Sequence, residues 1–465
     1  MAAKQPLSDV VILLPGILGS VLRRDGHDVW APSGGAVWRA LRSLGRSLHD
    51  LELGADDPQV DDLGDGVTAT RLVPDVHLVP GLWGIDGYTR IKRTIAARFD
   101  VIEGQNWFDF PYDWRRDNRV AARQLLEHAP RWLRDWRSHS GNSDAKLVIV
   151  AHSMGGLVAT HYLEVLGGWQ DARCLVTFGT PFRGSLNALG FLTNGFKKGF
   201  GPVGLDLTQL LRSLTSVYQL LPRYPCVDTG SGSLRRIGEI ADLPGVDQGR
   251  AAAALRFHLD IDRVIEERGG IGGAIHPIVG ILQPTLQSAV VSDGKVSLLR
   301  SYEGNDHGGD GTVPRPSATP VALSDQGREI FVADRHASIQ NRDGALTQLS
   351  GILSAKPTAR FRSDERGMSL DIDDLYLRDE PISFTVTAEE PPRVVAATVV
   401  EVSSGRELAR IIIERDGDGR FRGELASLSP GTYRLSATSA EDNDRIAPVT
   451  DLFLVPGDDD EGSLE

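Results

Sequence analysis

Residues 146–165 read KLVIVAHSMGGLVATHYLEV. After Lys146, Leu147 to Val150 are a continuous apolar run rich in β-branched residues, the pattern of a strand covered on both faces. From Leu157 onward the apolar residues recur with helical spacing. A strand that becomes a helix within four residues must turn sharply, and Ser153 stands at the apex of that turn. The residues two before and two after must then be small, and Ala151 and Gly155 are. This is the strand–serine–helix turn called a nucleophile elbow, with alanine in place of its first glycine. It would expose the Ser153 hydroxyl at the carboxyl end of a buried strand. The helix behind it would aim its positive end at any anion forming there.

The same texture extends through about 350 residues. DVVILLPG, ARCLVTFGT, IHPIVGIL and REIFVAD are further continuous apolar runs, and RVAARQLLEHAPRWLRDWRSH and AAAALRFHLDIDRVIEER are helical stretches between them. Strands alternating with helices predict a doubly wound α/β sheet. Residues 185–275 are Gly-rich and too long for a simple connection, so a cap over the sheet is expected there. From about Ala355 the pattern changes to seven short, often alternating runs separated by GDG (417–419), SPG (429–431) and EDND (441–444). That predicts an all-β, immunoglobulin-like sandwich over residues 356–456. The expected organisation is therefore an α/β domain over 1–355, the sandwich, and an acidic disordered tail over 457–465. A composition shift this sharp implies that a chain ending near Ala355 keeps its fold.

Charge and composition exclude several functions. The 465 residues carry a formal net charge of −13 and a pI near 5.4. A negative surface repels phosphate backbones, so nucleic acid is not an expected partner. Two cysteines, Cys174 and Cys226, cannot build a disulfide framework or a cysteine metal cluster, and no cofactor or metal is expected. The apolar start VVILLPGILGS is broken by Pro15, Gly16 and Gly19 and edged by Asp9, so it reads as a strand and turn rather than a leader. No segment approaches the length of a membrane span, and the expected location is the cytoplasm.

A serine nucleophile needs a base and an acid to orient it, and hydrolases of this kind supply them in the order Ser, Asp or Glu, His. The glycine-rich loop GGDGTVP places Asp310 after Ser153. One histidine follows it, His336, at the carboxyl end of the strand REIFVAD, where ligands bind in such sheets. Asp306, Asp325, Glu329, Asp334 and Asp343 are nearby carboxylates, but flanking glycines allow the Asp310 loop to aim a short side chain inward. The tetrahedral oxyanion would need two backbone N–H donors: Met154, after the serine, and Ile17, in the turn of LLPGILGS.

LLPGILGS, VPGLWG, FDFPYDWRRDNR, AHSMGG, TFGTPFRGS, SVYQLLP, GILQPT, GGDGTVP and DRHASI, in that order over residues 9–350, together resemble the lecithin:cholesterol acyltransferase family. The resemblance implies an α/β-hydrolase fold, with Ser153, Asp310 and His336 as a catalytic triad and Ile17 and Met154 as oxyanion donors. It implies acyl transfer from a glycerolipid ester to a sterol, another alcohol or water. The C-terminal sandwich lies outside it. A soluble carboxylesterase for small esters is the enzyme alternative, and a hydrolase recruited to a protein through its sandwich is the other. The expected partners are thus an ester substrate, a transient membrane surface and a protein bound by the sandwich.

Other features have plainer readings. His152 is expected to pack the elbow rather than act as a second base. The PYDWR segment (111–115) should support the site structurally. Trp30, Trp38, Leu82 and Trp83 are open between core and lipid contact. Lys197 and Lys198 among Phe191, Phe196 and Phe200 read as a solvated loop over core aromatics, and DGDG (416–419) as a hairpin turn rather than a calcium loop.

Overall fold

A computed structural model describes residues 4–31, 51–74, 77–79, 83–85, 87–198, 205–324, 326–354, 367–377, 379–388, 392–440, 446 and 448–455. The expected domain boundary at 355–356, the tail at 457–465, and Trp38, Leu82, Phe200 and Asp325 lie outside them, as do the side chains of Trp83 and Lys198.

Six parallel strands form the central sheet: β1 (Val10–Leu14), β2 (Trp107–Asp109), β3 (Leu147–His152), β4 (Ala172–Phe178), β5 (Ala274–Gly280) and β6 (Ile330–Val332). Their spatial order is β6-β5-β4-β3-β1-β2, with every neighbouring pair parallel. The continuous apolar runs of the sequence became these strands because most are covered on both faces; all of β1 and β3 is buried, while β6, at the edge, leaves Phe331 exposed. The exception is β2. Its three residues WFD carry no periodic signal and are followed closely by Pro111, which hid the strand from the sequence pattern.

The chain moves one way across the sheet from β1 to β2, then reverses and runs β2, β3, β4, β5, β6. Parallel crossovers are right-handed, so α1 (Thr89–Arg98) falls on one face. α2 (Asn118–Ser140) and α3 (Gly155–Glu164) fall on the other. The carboxyl ends of β1 and β3 therefore send their chains to opposite faces, which opens a crevice between two adjacent strands. Ligands bind at that point in open α/β sheets.

Between β4 and β5 lie α4 (Leu186–Asn194), α5 (Thr208–Ser213), α6 (Thr215–Gln219) and α7 (Gln248–Arg268). α7 packs on α3 and α6 and leads into β5, so it is the crossover helix of the sheet. The inserted cap is accordingly the part of 185–275 that precedes it. α8 (Asp343–Leu353) closes the domain and packs on α1.

All seven strand-like runs beyond residue 366 are strands: β7 (Met368–Ile372), β8 (Ile382–Ala388), β9 (Val394–Glu401), β10 (Glu407–Glu414), β11 (Phe421–Leu425), β12 (Gly431–Ser439) and β13 (Val449–Val455). They make two antiparallel sheets, β7-β8-β11 and β10-β9-β12-β13. Inward-facing residues such as Phe384, Val395, Phe421 and Leu435 fill the space between, a core separate from that of the α/β domain. The DGDG segment turns tightly, with Asp416 Oδ1 accepting the N–H groups of Asp418 and Arg420. It joins β10 to β11, which lie in different sheets, so it is a sheet-crossing turn rather than a hairpin.

Both thiols are buried in the α/β domain, and burial pushes Cys174 up to about 11 and Cys226 up to about 12. Three buried histidines are pushed the other way. Burial, then the neighbouring His336, lowers His152 to about 3; burial and Arg119 lower His161 to about 4; burial and Arg223 lower His258 to about 3. The unfolded chain protonates such rings near pH 6.5, whereas the folded protein keeps them neutral to much lower pH. Their contribution to stability is full above pH 6.5 and is lost as pH falls towards 3–4, by up to about 1.4 kcal/mol per pH unit for each ring. We predict that His258→Gln, which can keep the bond to the Gln219 carbonyl, flattens the fall of unfolding free energy between pH 6 and 4. An unchanged slope would show that His258 is protonated in the native state.

Candidate active site

Ser153 follows β3 with φ +51°, in the left-handed region that a serine rarely adopts. Its N–H is held by the Phe178 carbonyl of β4, 2.8 Å away, and α3 begins two residues later. The turn after β1 presses against this elbow. A Cβ placed on Gly155 would stand 2.4 Å from the Pro15 carbonyl oxygen, and one on Gly16 would stand 2.9 Å from the Ser153 Cβ. Only hydrogen fits at either position.

Ile17 and Leu18 are the central residues of that second turn, which Gly19 N–H closes onto the Gly16 carbonyl at 3.0 Å. Leu18 has φ +63°, the value a type II turn demands at its third position and which glycine normally supplies. A leucine holds it because the surroundings do. The Trp30 indole N–H donates to the Leu18 carbonyl (3.0 Å), and the Trp114 indole donates to the Ser20 carbonyl (3.0 Å). The Tyr112 hydroxyl donates to the Pro15 carbonyl (2.9 Å), and the Trp30 and Trp114 rings meet edge to face at 5.4 Å. The PYDWR segment thus has the supporting place expected of it, and Trp30 belongs to the frame of the turn. The N–H groups of Ile17 and Met154 make no hydrogen bond among the described residues.

The carboxyl ends of β5 and β6 supply two more loops. Asp310 and His336 are both almost fully buried, and the His336 N–H donates to the Asp310 carbonyl at 2.7 Å. The side chains form a line: His336 Nδ1 to Asp310 Oδ2 at 2.7 Å, and His336 Nε2 to Ser153 Oγ at 2.8 Å. The other carboxylate oxygen, Oδ1, accepts the N–H groups of Thr312 and Val313 at 2.9 and 2.7 Å. With Oδ1 so occupied, Oδ2 faces the ring. A proton on Nδ1 towards Asp310 leaves the Nε2 lone pair for the serine hydroxyl.

Three of the competing carboxylates are engaged elsewhere. Asp334 accepts the Arg335 N–H (2.8 Å) and pairs with Arg342 (3.5 Å), Asp306 accepts from Gln287 and the Gly308 N–H, and Asp343 pairs with Arg90. Lys197 pairs with Asp206, while Phe191 and Phe196 are buried against one another. A cavity of about 540 Å³ opens beside His336 and Asp310, walled by Phe191, Phe196 and Leu298 on one side and by Arg335, Asp371 and Asp451 on the other. Among the described residues no cluster of histidine, cysteine and carboxylate side chains could hold a metal ion. Nor is any helix among them long and apolar enough to cross a membrane.

Sequence reasoning missed Tyr88. Its hydroxyl accepts the Gly16 N–H (2.8 Å) and meets His152 Nδ1 (3.0 Å), and His152 Nε2 meets the His336 carbonyl (3.1 Å). With His152 neutral, the pattern fixes the donors: Tyr88 O–H to Nδ1, and Nε2–H to the carbonyl. The serine's neighbour therefore packs the elbow, as expected, and also ties the turn after β1 to the loop of His336. A tyrosine 72 residues from Gly16 leaves no local sequence signal.

The model described as lecithin:cholesterol acyltransferase matches residues 97–235. The chain resembles that family. The lecithin:cholesterol acyltransferase match contains Ser153 and Met154 and ends before Asp310 and His336. The lecithin-cholesterol acyltransferase-like 4 protein of Arabidopsis thaliana is 26% identical over 242 residues, 46% of this chain and 43% of its own length. An uncharacterized protein of Saccharomyces cerevisiae is 30% identical over 155 residues, 33% of this chain and 20% of its own. The chain thus spans less than half the length of these curated relatives. The mature form of Bacillus licheniformis lipase BlEst2 superposes with a TM-score of 0.32 at 13% identity, over 76% of this chain and 94% of that one.

The Tyr88 network makes a prediction about stability. Tyr88→Phe leaves the buried Gly16 N–H without an acceptor and His152 Nδ1 without a donor, at a cost of about 1–3 kcal/mol. Urea unfolding should show a lower midpoint at an unchanged slope. An unchanged midpoint would remove Tyr88 from the frame of the turn.

Proposed function

We propose that this protein transfers acyl groups from lipid esters to an alcohol or water through an acyl-serine intermediate. The observation that carries the reading is the buried line Ser153–His336–Asp310, with hydrogen bonds of 2.8 and 2.7 Å, at the end of a strained elbow. Strained backbone of this kind concentrates at functional sites.

In the proposed reaction the Ser153 oxygen attacks the ester carbonyl while His336 Nε2 takes its proton. Asp310 Oδ2 holds the Nδ1–H and stabilises the imidazolium. The negative oxygen of the tetrahedral intermediate sits between the Ile17 and Met154 N–H groups, which have no other duty among the described residues. Collapse breaks the ester C–O bond, and the leaving alkoxide takes the proton from Nε2. Water or an acceptor alcohol then gives a proton to Nε2 as it attacks the acyl-serine, and Ser153 is restored. The lipid donor is favoured over a small soluble ester by the lecithin:cholesterol acyltransferase resemblance.

Ser153→Ala should abolish labelling by a fluorophosphonate and lower turnover of a p-nitrophenyl ester by at least about a thousandfold, with folding intact. Labelling at another residue would sink the assignment. Asp310→Asn should cost at least about a hundredfold by favouring the wrong tautomer, and Asp334→Asn less than about tenfold, since Asp334 faces Arg342 rather than the ring. The reverse order would reassign the acid. The donor class is read separately. Vesicles of phosphatidylcholine should release fatty acid, or pass it to an added sterol, with the native enzyme and not with Ser153→Ala. Turnover confined to water-soluble esters would favour the carboxylesterase.

A further inference from the structure

The sandwich touches both loops that carry the proposed base and acid. Arg335 directly precedes His336, and its Nε and Nη2 both meet Asp451 Oδ2, a carboxylate on β13 with 5% of its surface exposed. Nη2 also reaches the Ile372 carbonyl at the end of β7 (3.5 Å). On the acid side the link is Gln283, which is 1% exposed. It bridges to Asp310 in parallel, its N–H on the Gly309 carbonyl (3.0 Å). Its side chain behaves as one more strand edge for β7, with Nε2 donating to the Met368 carbonyl (3.2 Å) and Oε1 accepting the Leu370 N–H (3.3 Å). Between the two links, Gly367 lies so close to Leu282 and Ala333 that an added Cβ would overlap both, at 2.2 and 2.6 Å. Leu282 itself has φ +69°.

The two polar links are buried and directional: one runs through the residue directly before His336, the other through a residue hydrogen-bonded to Gly309, the neighbour of Asp310. A mere tether between two independent domains requires none of them. We propose that the C-terminal sandwich is a positioning domain: Asp451 through Arg335, and β7 through Gln283, set the placement of His336 and Asp310. Arg335 and Gln283 are then positioning residues that act through their neighbours. This rests on the acyl-transfer reading for its kinetic consequence, but the placement of the ring can be measured without it. It also gives the sandwich a role within the reaction, where the sequence had suggested a separable module.

The test uses the full chain with Asp451→Asn and, separately, Gln283→Met, which keeps the length of the side chain and removes both bonds to β7. Misplacing a reacting group by an ångström can cost on the order of a hundredfold, so loosening one of two supports should cost about tenfold. We expect kcat for a p-nitrophenyl ester and the rate of fluorophosphonate labelling of Ser153 to fall by about that factor, with KM within about twofold of the parent. The downfield proton resonance of His336 Nδ1–H should weaken in both variants, and Asp451→Glu should recover part of the rate. Parent kinetics and a parent resonance in folded variants would overturn the proposal. So would loss of the fold in both, which would leave the contact purely structural. If the parent enzyme itself is not labelled at Ser153, the acyl-transfer reading fails instead, and the resonance alone decides whether the sandwich sets the pair.

Discussion

The close approach of the turn after β1 to the serine elbow after β3 is the constraint on which the rest of the site depends. Two residues that are not glycine, Leu18 and Ser153, stand there in left-handed backbone, each a departure worth about 1–3 kcal/mol. Neither would persist alone. The Trp30 and Trp114 indoles, the Tyr112 and Tyr88 hydroxyls and the β4 carbonyl each take one of the backbone groups that the strain exposes. The aromatic segment following β2 and the tyrosine preceding α1 are thus far from the serine in sequence and necessary to it in space. The reversal of direction across the sheet brings them together, because it puts the ends of β1 and β3 side by side with nothing crossing between them.

How much of this was legible in the sequence follows from the range of the interactions involved. Ser153, Ala151 and Gly155 declare themselves because the elbow's steric demands act within five residues. Asp310 and His336 could be found because chain order and strand ends narrow the choice, and the structure brings both to Ser153. The four longer sheet strands and the apolar run around β6 were readable as continuous apolar stretches, whereas the three residues of β2 show no period. Tyr88, Gln283 and Arg335 gave no signal: each acts across tens of residues, through a side chain whose partners lie on other elements. The DGDG turn was recognisable as a turn, but which sheets it joined depended on pairing that sequence spacing does not encode.

The two hydrophobic cores are separate, yet the seam between the domains is polar and specific. That combination explains why composition alone points to independent modules. An apolar seam would have left an unpaired stripe on the strands facing it. Here the Arg335 guanidinium meets the Asp451 carboxylate and the Gln283 carboxamide meets the backbone of β7, beside the close approach of Gly367 to Leu282 and Ala333; such polar groups look like ordinary surface residues until the partner is in place.

Burial of both cysteines has a practical corollary for anyone studying the molecule. Thiolates are the reactive form, and neither sulfur reaches solvent or ionises near neutral pH. The folded chain is therefore a blank background for maleimide chemistry. A single cysteine introduced at an exposed position such as Asp373, close to the seam, would carry a spin label or fluorophore with no competing site. Motion of the sandwich against the loops of Asp310 and His336 then becomes readable from the mobility of that label in solution, without first deleting a native thiol.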